Sequence, residues 1–325
     1  MSGRVLGSQP KPVDELFVHN EAVSFCLLVN RRARTMRVID FRAGATDAKR
    51  QFVRQLAQRE GVEKIYTLVE RDEQQTWVKL GFAKEGTIPG FYKRSDAFLL
   101  GSTVGALPSH GRGAVAPAAN SRARSEVPFE SETRLVAARA TGPAALGHAQ
   151  ELAERTIAAG RRAARSLSEG AVPQARVAAL QESEARKAVA SALRSGRALT
   201  AFEPFGRDVE RRHLLIAARG GFELVASIES QACFGNAFIE LLQAPRTESE
   251  GVATAGAVRA LCDKLLSDGM VSCFSLAPSD DVSLAAAFLY AGFRRTGLLL
   301  GHLPGGGVRR DVILWSRKLA IVTDE

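Results

Sequence analysis

The sequence predicts a protein of the α/β (α+β) class, with two small domains joined by a partly helical linker. Its 325 residues exceed what one domain of common size contains. Apolar stretches with the length of strands alternate with amphipathic helical stretches in residues 1–101 and again in residues 186–325. Residues 102–185 between them are rich in Ala and Arg and nearly free of aromatic side chains. We therefore expect an N-terminal domain, a linker and a C-terminal domain with these bounds.

The N-terminal domain is predicted to be a small α/β unit. Apolar runs flank the sequence Asn30-Arg-Arg-Ala-Arg-Thr35, which predicts antiparallel strands joined by an Arg-rich turn. The arginines of this turn are expected in solvent, and contact with an anionic ligand is the alternative. Asp47 is expected to cap the first helix. The further elements are a helix over 47–59, a strand over 64–69, a helix over 72–80 and a strand within 88–101.

The linker is expected to be partly disordered and partly helical. Residues 102–125 are rich in Gly, Ala, Ser and Pro, which is typical of a flexible connection. Residues that favour helices then predict helices over 151–167 and 175–193. Their apolar faces consist mostly of Ala, so they would bury little area and dock weakly.

The C-terminal domain shows a sharper pattern from residue 211 onward. Two strands, over 214–218 and 222–228, flank Gly220-Gly221 and predict a hairpin. The elements that follow are a strand over 236–243, a helix over 252–267, a strand over 270–276, a helix over 281–290, and strands over 293–300 and 311–316.

Composition and charge exclude several classes of function. The net charge is +9, and residues 102–197 contain 14 Lys or Arg against 8 Asp or Glu. No basic block is interleaved with aromatic residues there, so nucleic acid is not an expected partner. No apolar run approaches the roughly 20 residues that span a membrane, and the N-terminus lacks the apolar segment of a signal peptide. The cysteines show no CxxC spacing, so we expect buried free thiols, no metal and a cytoplasmic protein.

Two motifs of the C-terminal domain carry a resemblance to a known superfamily. Arg246-x-x-Ser249-x-Gly251 falls in the register of the Gln/Arg-x-x-Gly-x-Gly/Ala loop, which binds pyrophosphate in GNAT N-acetyltransferases. Residues 281–293 are similar to the superfamily's Asn-x-x-Ala-x-x-Phe-Tyr-x-x-x-Gly-Phe helix. The order of predicted strands and helices also fits the superfamily, so residues 186–319 resemble a GNAT domain. The resemblance implies a mixed, mostly antiparallel central sheet.

A closer resemblance covers most of both domains. Residues 88–91 (Ile-Pro-Gly-Phe), Asp96 and residues 77–82 look like the N-terminal domain of the β-lysine N-acetyltransferase family. Residues 305–319 look like the last hairpin of that family. The resemblance implies that the N-terminal domain is GNAT-like as well. The Ala/Arg-rich linker is an addition that the family does not suggest.

The resemblance implies that acetyl-CoA binds where the strand over 236–243 meets the next helix. Free backbone N–H groups and the helix dipole favour an anion there. The residues assigned to cofactor binding are Arg246, Ser249, Gly251, Val252, Ala253, Asp281 and Phe288. Phe288 stands where the family often has the Tyr that protonates the leaving thiolate, so water or the substrate would supply that proton.

Glu240 is the candidate catalytic base. It lies in the strand that leads into the cofactor loop, where the β-lysine family places an acid. If Phe238 and Leu242 share its face, burial raises the pKa of its carboxyl toward a useful value. The alternative is a carboxylate at the rim, paired with a nearby arginine.

The cofactor loop also departs from the superfamily pattern. Ser249 replaces a Gly, and Glu248 and Glu250 put negative charge beside the phosphate site. Two functions therefore stay open. One is an N-acetyltransferase acting on a small amine or amino acid, β-lysine-like by resemblance. The other is a catalytically degenerate relative that serves as a regulatory or interaction module. A protein partner or a homodimer stays open in both cases.

Overall fold

A computed structural model gives the fold. It describes residues 13–21, 23–40, 44–92, 95–106, 143–169, 172–207, 209–231, 233–305 and 308–320, which contain thirteen strands and six α-helices. The strands are β1 (Val13–His19), β2 (Ser24–Asn30), β3 (Thr35–Asp40), β4 (Lys64–Val69), β5 (Ala83–Ile88), β6 (Ala97–Thr103), β7 (Ala175–Leu180), β8 (Glu210–Ala218), β9 (Phe222–Gln231), β10 (Asn236–Leu241), β11 (Ser272–Pro278), β12 (Arg294–Gly305) and β13 (Val308–Lys318). The helices are α1 (Asp47–Arg59), α2 (Gln74–Lys79), α3 (Pro143–Glu169), α4 (Glu182–Arg194), α5 (Glu248–Ser267) and α6 (Val282–Tyr290).

All thirteen described strands belong to one mixed, mostly antiparallel sheet, in the order β1-β2-β3-β4-β6-β5-β12-β13-β11-β10-β9-β8-β7. The N-terminal half, β1 to β6, meets the C-terminal half, β7 to β13, at the pair Gly86↔Gly297. A Cβ atom on Gly297 would lie 2.6 Å from the Gly86 Cα and 2.6 Å from the Glu85 carbonyl oxygen. The two backbones can therefore approach this closely only because both positions are glycine.

The two halves repeat one topology in reverse order across this joint. The unit β1-β2-β3-β4-β6-β5 corresponds to β8-β9-β10-β11-β13-β12, with α1 matching α5 and α2 matching α6. One bulge occurs at the matching place in both halves. The β5–β6 register shifts between Lys84 and Gly86, and the β12–β13 register shifts between Arg295 and Gly297. This agreement in detail indicates an internal duplication.

Side chains at the ends of α2 and α6 repeat as well. The Trp77 and Phe82 rings lie edge to face at 4.9 Å, and the Phe288 and Phe293 rings do so at 5.1 Å. In each half a glycine with positive φ, Gly81 or Gly292, precedes the second ring and ends the helix. The sequences Leu80-Gly-Phe82 and Ala291-Gly-Phe293 are thus the local trace of the duplication.

The three largest hydrophobic clusters of the described residues stabilise the sheet. One lies under α1 and α2, and a second lies under α3, α5 and α6. The third is an aromatic cluster to which both halves contribute. Its aromatic members are Tyr66, Phe91, Phe205, Phe238 and Phe274. The halves are therefore joined by packing as well as by the strand pair.

The structure corrects several predictions of secondary structure. Residues 175–180 were predicted as helix but form the edge strand β7, because pairing with β8 overrides the helix preference of Ala and Leu. Strand β5 was not predicted, since its sequence Ala-Lys-Glu-Gly-Thr-Ile lacks apolar alternation. Thr46, not Asp47, caps α1. Helix α5 begins at Glu248 rather than at residue 252.

Helix α3 packs more closely than its Ala-rich face predicts. Ala149, Ala153 and Ile157 are buried in the second core. A Cβ atom on Gly160 would lie 3.0 Å from the Ala285 Cβ of α6. Small side chains thus let the two helix backbones come together. In the described part of the chain, none of the helices combines the length and apolarity needed to cross a membrane. The predicted domain bounds stay predictions.

Candidate active site

The site begins where the neighbouring parallel strands β10 and β11 separate. They pair from Asn236↔Ser272 to Ile239↔Ser275. At the last pair the Ser275 hydroxyl donates to the Ile239 carbonyl at 2.8 Å. Beyond it, β10 stays paired with β9 and β11 stays paired with β13. A wedge therefore opens at the carboxyl ends of these strands, which is where open α/β sheets bind ligands.

The first turn of α5 lies beyond the end of β10. Thr247 caps the helix, and its hydroxyl accepts from the Glu250 amide at 3.1 Å. Within the described residues, the amides of Thr247, Glu248 and Ser249 have no hydrogen-bond acceptor. Unpaired amides at the positive end of a helix dipole form a site that suits an anion.

The carboxylate of Glu250 already lies at this turn. Its Oε2 accepts from the Arg246 amide at 2.8 Å and from the Arg197 Nη2 at 3.3 Å. The Arg246 side chain is exposed, and its Nη2 lies 3.5 Å from the Ser195 carbonyl at the end of α4. The Glu250 carboxylate therefore occupies the Arg246 amide, one of the N–H donors of the predicted cofactor loop.

The other predicted cofactor residues of the loop lie together on this turn. Ser249 is exposed, Gly251 and Val252 are half-buried, and Ala253 is buried. A Cβ atom on Gly251 would lie 3.8 Å from Ser283 at the start of α6, which is an ordinary contact. Protein packing alone does not require glycine here, so the space above Gly251 is open to a ligand.

Asp281 and Phe288 have structural roles in this fold. Asp281 caps α6, and its Oδ1 accepts from the Leu284 amide at 2.8 Å. Phe288 is 1% exposed and stacks on Trp315 at 5.7 Å. The start of α6 adjoins the start of α5, whereas Phe288 lies in the core. Cofactor contacts for both residues stay predictions.

Glu240 lines a cavity of about 70 Å³ between the two halves of the molecule. Its neighbour Phe238 packs in the aromatic cluster, as the alternation of β10 predicts. Polar or charged side chains from both halves line the same cavity, namely those of Asn30, Arg32, Thr35, Tyr66, Thr200, Glu203, Glu240 and His302. The candidate base therefore faces a chamber of mixed polar and apolar lining that neither half would form alone.

The Glu240 carboxyl is enclosed by protein, although part of the residue remains accessible to solvent. Its Oε1 accepts from the Thr200 hydroxyl at 2.7 Å, and its Oε2 has no partner within the described residues. Burial, together with the negative charges of Glu229 and Glu203, raises the pKa of this carboxyl to about 8. The Thr200 hydroxyl and Arg211 act in the opposite direction.

The alternative prediction for Glu240, an ion pair at the rim, is wrong for the described residues. Arg211, an arginine whose charge acts on Glu240, pairs instead with Glu229. Glu229 is 3% exposed and also accepts from the Phe205 and Gly206 amides, the latter at 2.8 Å. The two carboxyls thus differ in their hydrogen bonds. Glu229 accepts from Arg211 and two backbone amides, whereas Glu240 accepts from the Thr200 hydroxyl alone among the described residues.

Sequence reasoning missed most partners of Glu240 in the cavity. Thr200 and Glu203 lie in a segment without regular structure, and Tyr66 and His302 lie in strands of opposite halves. Burial, together with the positive charges of Lys64 and Arg309, lowers the pKa of His302 to about 3, so its ring is neutral. Burial raises the pKa of Tyr66. No local pattern marks these residues because the joint between the halves brings them together.

The matching wedge of the N-terminal half is built differently. Thr67 donates to the Val38 carbonyl at 2.8 Å, as Ser275 does to Ile239. Ile39 is the fifth residue of β3, the position that Glu240 holds in β10. Buried Lys49, in the first turn of α1, binds Asp40 at 2.5 Å. The N-terminal wedge therefore has an internal ion pair, and Ile39 stands where the C-terminal wedge has Glu240.

Comparisons with solved structures find acetyltransferases. Ribosomal-protein-S18-alanine N-acetyltransferase from Escherichia coli shares 14% identity over 46% of this chain and 97% of its own, with a TM-score of 0.36. Spermidine N-acetyltransferase from Vibrio cholerae, in complex with CoA and spermine, shares 12% identity over 45% of this chain and 96% of its own, with a TM-score of 0.36. No protein-family profile and no curated protein matches the sequence.

Proposed function

We propose that this protein is an N-acetyltransferase that transfers the acetyl group of acetyl-CoA to a small primary amine or amino acid. One observation supports this function above all others. Glu240 places a carboxyl of raised pKa in a chamber beside the wedge of β10 and β11 and the unpaired amides of α5. A base beside an anion site that opens from the same strand is what this reaction requires.

The proposed chemistry uses the ionised form of Glu240. The amine arrives as an ammonium ion and transfers a proton to the carboxylate. Its nitrogen then attacks the thioester carbonyl, the carbon–sulfur bond breaks, and CoA leaves as a thiolate that takes a proton from water or the product ammonium. With a pKa of about 8, roughly one Glu240 carboxyl in ten is ionised at pH 7. The rate is therefore expected to rise with pH.

The proposed acetyl-CoA site is the first turn of α5. The amides of Thr247, Glu248 and Ser249 would bind the pyrophosphate, with Gly251 leaving room for its approach. Glu248 and Glu250 oppose this binding, each by an amount on the order of 1 kcal/mol in solvent. Each of these charges is therefore expected to weaken acetyl-CoA binding about fivefold.

One observation favours a second candidate function, a degenerate relative that serves as a regulatory or interaction module. Glu250 joins the Arg246 amide to Arg197 and thus holds the loop in a closed network of its own. In this case the first turn of α5 would not admit pyrophosphate. Fold and cavity would persist without turnover.

A binding measurement separates the two functions. We expect acetyl-CoA to bind the full chain in titration calorimetry, and Glu250→Gln to tighten binding about fivefold because one opposing charge is removed. The matched control is Glu223→Gln, which changes an exposed acid on β9. Absence of acetyl-CoA binding by both the wild type and Glu250→Gln would leave only the second function.

A turnover measurement tests the base. Release of CoA thiol is followed with a panel of primary amines and amino acids. Glu240→Gln is expected to lower kcat by about 10²–10⁴-fold while acetyl-CoA binding stays unchanged. Glu223→Gln again serves as the control. Full turnover by Glu240→Gln would remove Glu240 as the base.

A further inference from the structure

One segment of irregular backbone, residues 199–207, crosses the cavity between α4 and β8, and we name it the strap. Leu199, Thr200, Glu203, Pro204 and Phe205 of the strap line the cavity. Phe202 adopts a φ of 58°, a left-handed conformation that is unfavourable for a bulky residue. Such a backbone persists only where its surroundings hold it in place.

The N-terminal half holds the strap from one side. The Arg32 Nε lies 2.6 Å from the Glu203 Oε1, and Arg37 donates to the Phe205 carbonyl. Arg207 lies 2.7 Å from Glu15 of β1. The Glu203 side chain is only 9% exposed, so its ion pair with Arg32 is shielded from solvent. These contacts fix the strap to the turn and strands of the N-terminal half.

The C-terminal half holds the same strap from the other side. Glu229 accepts from the amides of Phe205 and Gly206, and Arg211 donates to the Phe202 carbonyl at 2.5 Å. Between these anchors Thr200 is buried, and its hydroxyl donates to the Glu240 Oε1. The same hydroxyl accepts from the Phe202 amide at 2.9 Å. Thr200 is thus linked to the strained turn of the strap.

We propose that Thr200 is a positioning residue for Glu240, and that the N-terminal half sets the proton affinity of Glu240 by fixing the strap through Arg32 and Glu203. The catalytic consequence rests on the function proposed above. A hydroxyl that donates to a carboxylate favours its ionised form, so an intact strap keeps Glu240 ionised at lower pH. Release of the strap withdraws this donor.

Other charged and titratable groups around Glu240 act on the same equilibrium. They are Glu229 of β9, Arg211 of β8, Glu203 of the strap, Tyr66 of β4, His302 of β12 and Arg32 of the turn after β2. The His302 ring is neutral because its pKa is lowered, and Glu229 is paired with Arg211. The test must therefore separate the hydroxyl from the charges of Arg32 and Glu203.

The first experiment titrates Glu240 directly in the full chain. The Glu side-chain carboxyls are labelled with ¹³C, and the Glu240 signal is assigned from its absence in Glu240→Gln. Thr200→Val is expected to move the titration about one pH unit upward, a tenfold change in proton affinity. Thr200→Ser keeps the hydroxyl and is expected to titrate as the wild type does. Equal titration in all three would overturn the proposal.

The second experiment tests the link to the N-terminal half. Arg32→Gln is expected to move the Glu240 titration upward in the wild type and to have a much smaller effect in a Thr200→Val background. An equal shift in both backgrounds would mean that the Arg32 charge acts through space, and would contradict the link. Arg34→Gln is the control, because Arg34 lies in the same turn but pairs with Glu63.

These titrations need no turnover, so the two proposals fail separately. If the ¹³C shifts appear and no amine is acetylated, the strap inference stands and the proposed function fails. If acetylation occurs and Thr200→Val moves neither the titration nor the pH dependence of kcat, the function stands and the strap inference fails. If Thr200→Val does not fold, Thr200→Ala replaces it in both experiments, because it also removes the hydroxyl.

Discussion

Thr67 in the N-terminal half and Ser275 in the C-terminal half make the same hydrogen bond, to the carbonyls of Val38 and Ile239. Past this point the strands of each half separate in the same way. The contents of the two wedges differ. The N-terminal wedge contains Ile39 and the ion pair Lys49–Asp40, whereas the C-terminal wedge contains Glu240 and amides that have no acceptor in the described part of the chain.

This difference shows how a duplicated unit can change its role. The order of strand pairing and one bulge are shared between the halves, so the fold of each unit does not depend on the contents of its wedge. In the N-terminal half the space is used for stability. The same half contributes Tyr66 and Arg32 to the cavity beside Glu240. Its proposed role is to complete the site of the other half.

The largest expected effect is on the free energy of unfolding, and it distinguishes two residues at the same helix position, Lys49 of α1 and Glu250 of α5. Lys49→Met leaves Asp40 as a buried charge and is expected to lower the free energy of unfolding by about 3–5 kcal/mol. Glu250→Gln removes a partly exposed charge and is expected to change it by under about 1 kcal/mol. Chemical denaturation measures both. Equal effects would contradict the difference between the wedges.

The next effect is the pH dependence of stability that Glu240 causes. Its pKa is about 8 in the folded protein against an ordinary value of 4.5, so the folded state holds the extra proton between these limits. The stabilisation that the protonated Glu240 carboxyl gives the folded state is complete below about pH 4.5 and is lost as pH rises through 8. The free energy of unfolding falls by up to about 1.4 kcal/mol per pH unit in this range. The measurement is the unfolding free energy of the wild type minus that of Glu240→Gln. A difference that rises with pH would contradict the burial of the carboxyl.

A smaller effect tests the joint between the halves. Gly297→Ala would force the backbones of β5 and β12 apart and is expected to destabilise the protein by roughly 1–3 kcal/mol. The control is Gly147→Ala at an exposed position of α3, where an added Cβ atom would have no neighbour within 4 Å, and it is expected to stabilise the protein by up to about 1 kcal/mol. Thermal unfolding measures both variants. An unaffected Gly297→Ala protein would mean that the halves do not pair as described.

The smallest effect tests the equivalence of the two wedges. Thr67→Val and Ser275→Ala each remove a buried hydroxyl that donates to a strand carbonyl, and each is expected to destabilise by about 1 kcal/mol. Equilibrium denaturation with urea resolves changes of this size. A clear difference between the two variants would show that the wedges are not held in the same way.

Much of the C-terminal half could be predicted from sequence. The strand before the cofactor loop, the helix after it and the inward direction of Glu240 all follow from local patterns of residues. The helix start was misplaced by four residues, because Ser249 and Gly251 are typical of loops although Thr247 is a good cap. The sequence carries one signal of the duplication, an aromatic residue with Gly-Phe four and five positions after it. It occurs as Trp77 with Gly81-Phe82 and as Phe288 with Gly292-Phe293.

The rest depends on contacts between distant parts of the chain. Thr200 and Glu240 are 40 residues apart, and Arg32 and Glu203 are 171 residues apart. Strand β7 has the composition of a helix, and β5 has the composition of a loop. In both, pairing with neighbouring strands determines the structure. The cavity therefore could not be predicted before the joint at Gly86 and Gly297 was known.

The most direct test of the central claim is the pH dependence of kcat for release of CoA from acetyl-CoA in the presence of an accepted amine. If Glu240 is the base of the C-terminal half, kcat rises with pH and levels off above an apparent pKa near 8. Glu240→Gln loses both the rate and this dependence, while Ile39→Val, at the matching N-terminal position, keeps both. A Glu240→Gln enzyme with the wild-type rate and pH profile would contradict the account.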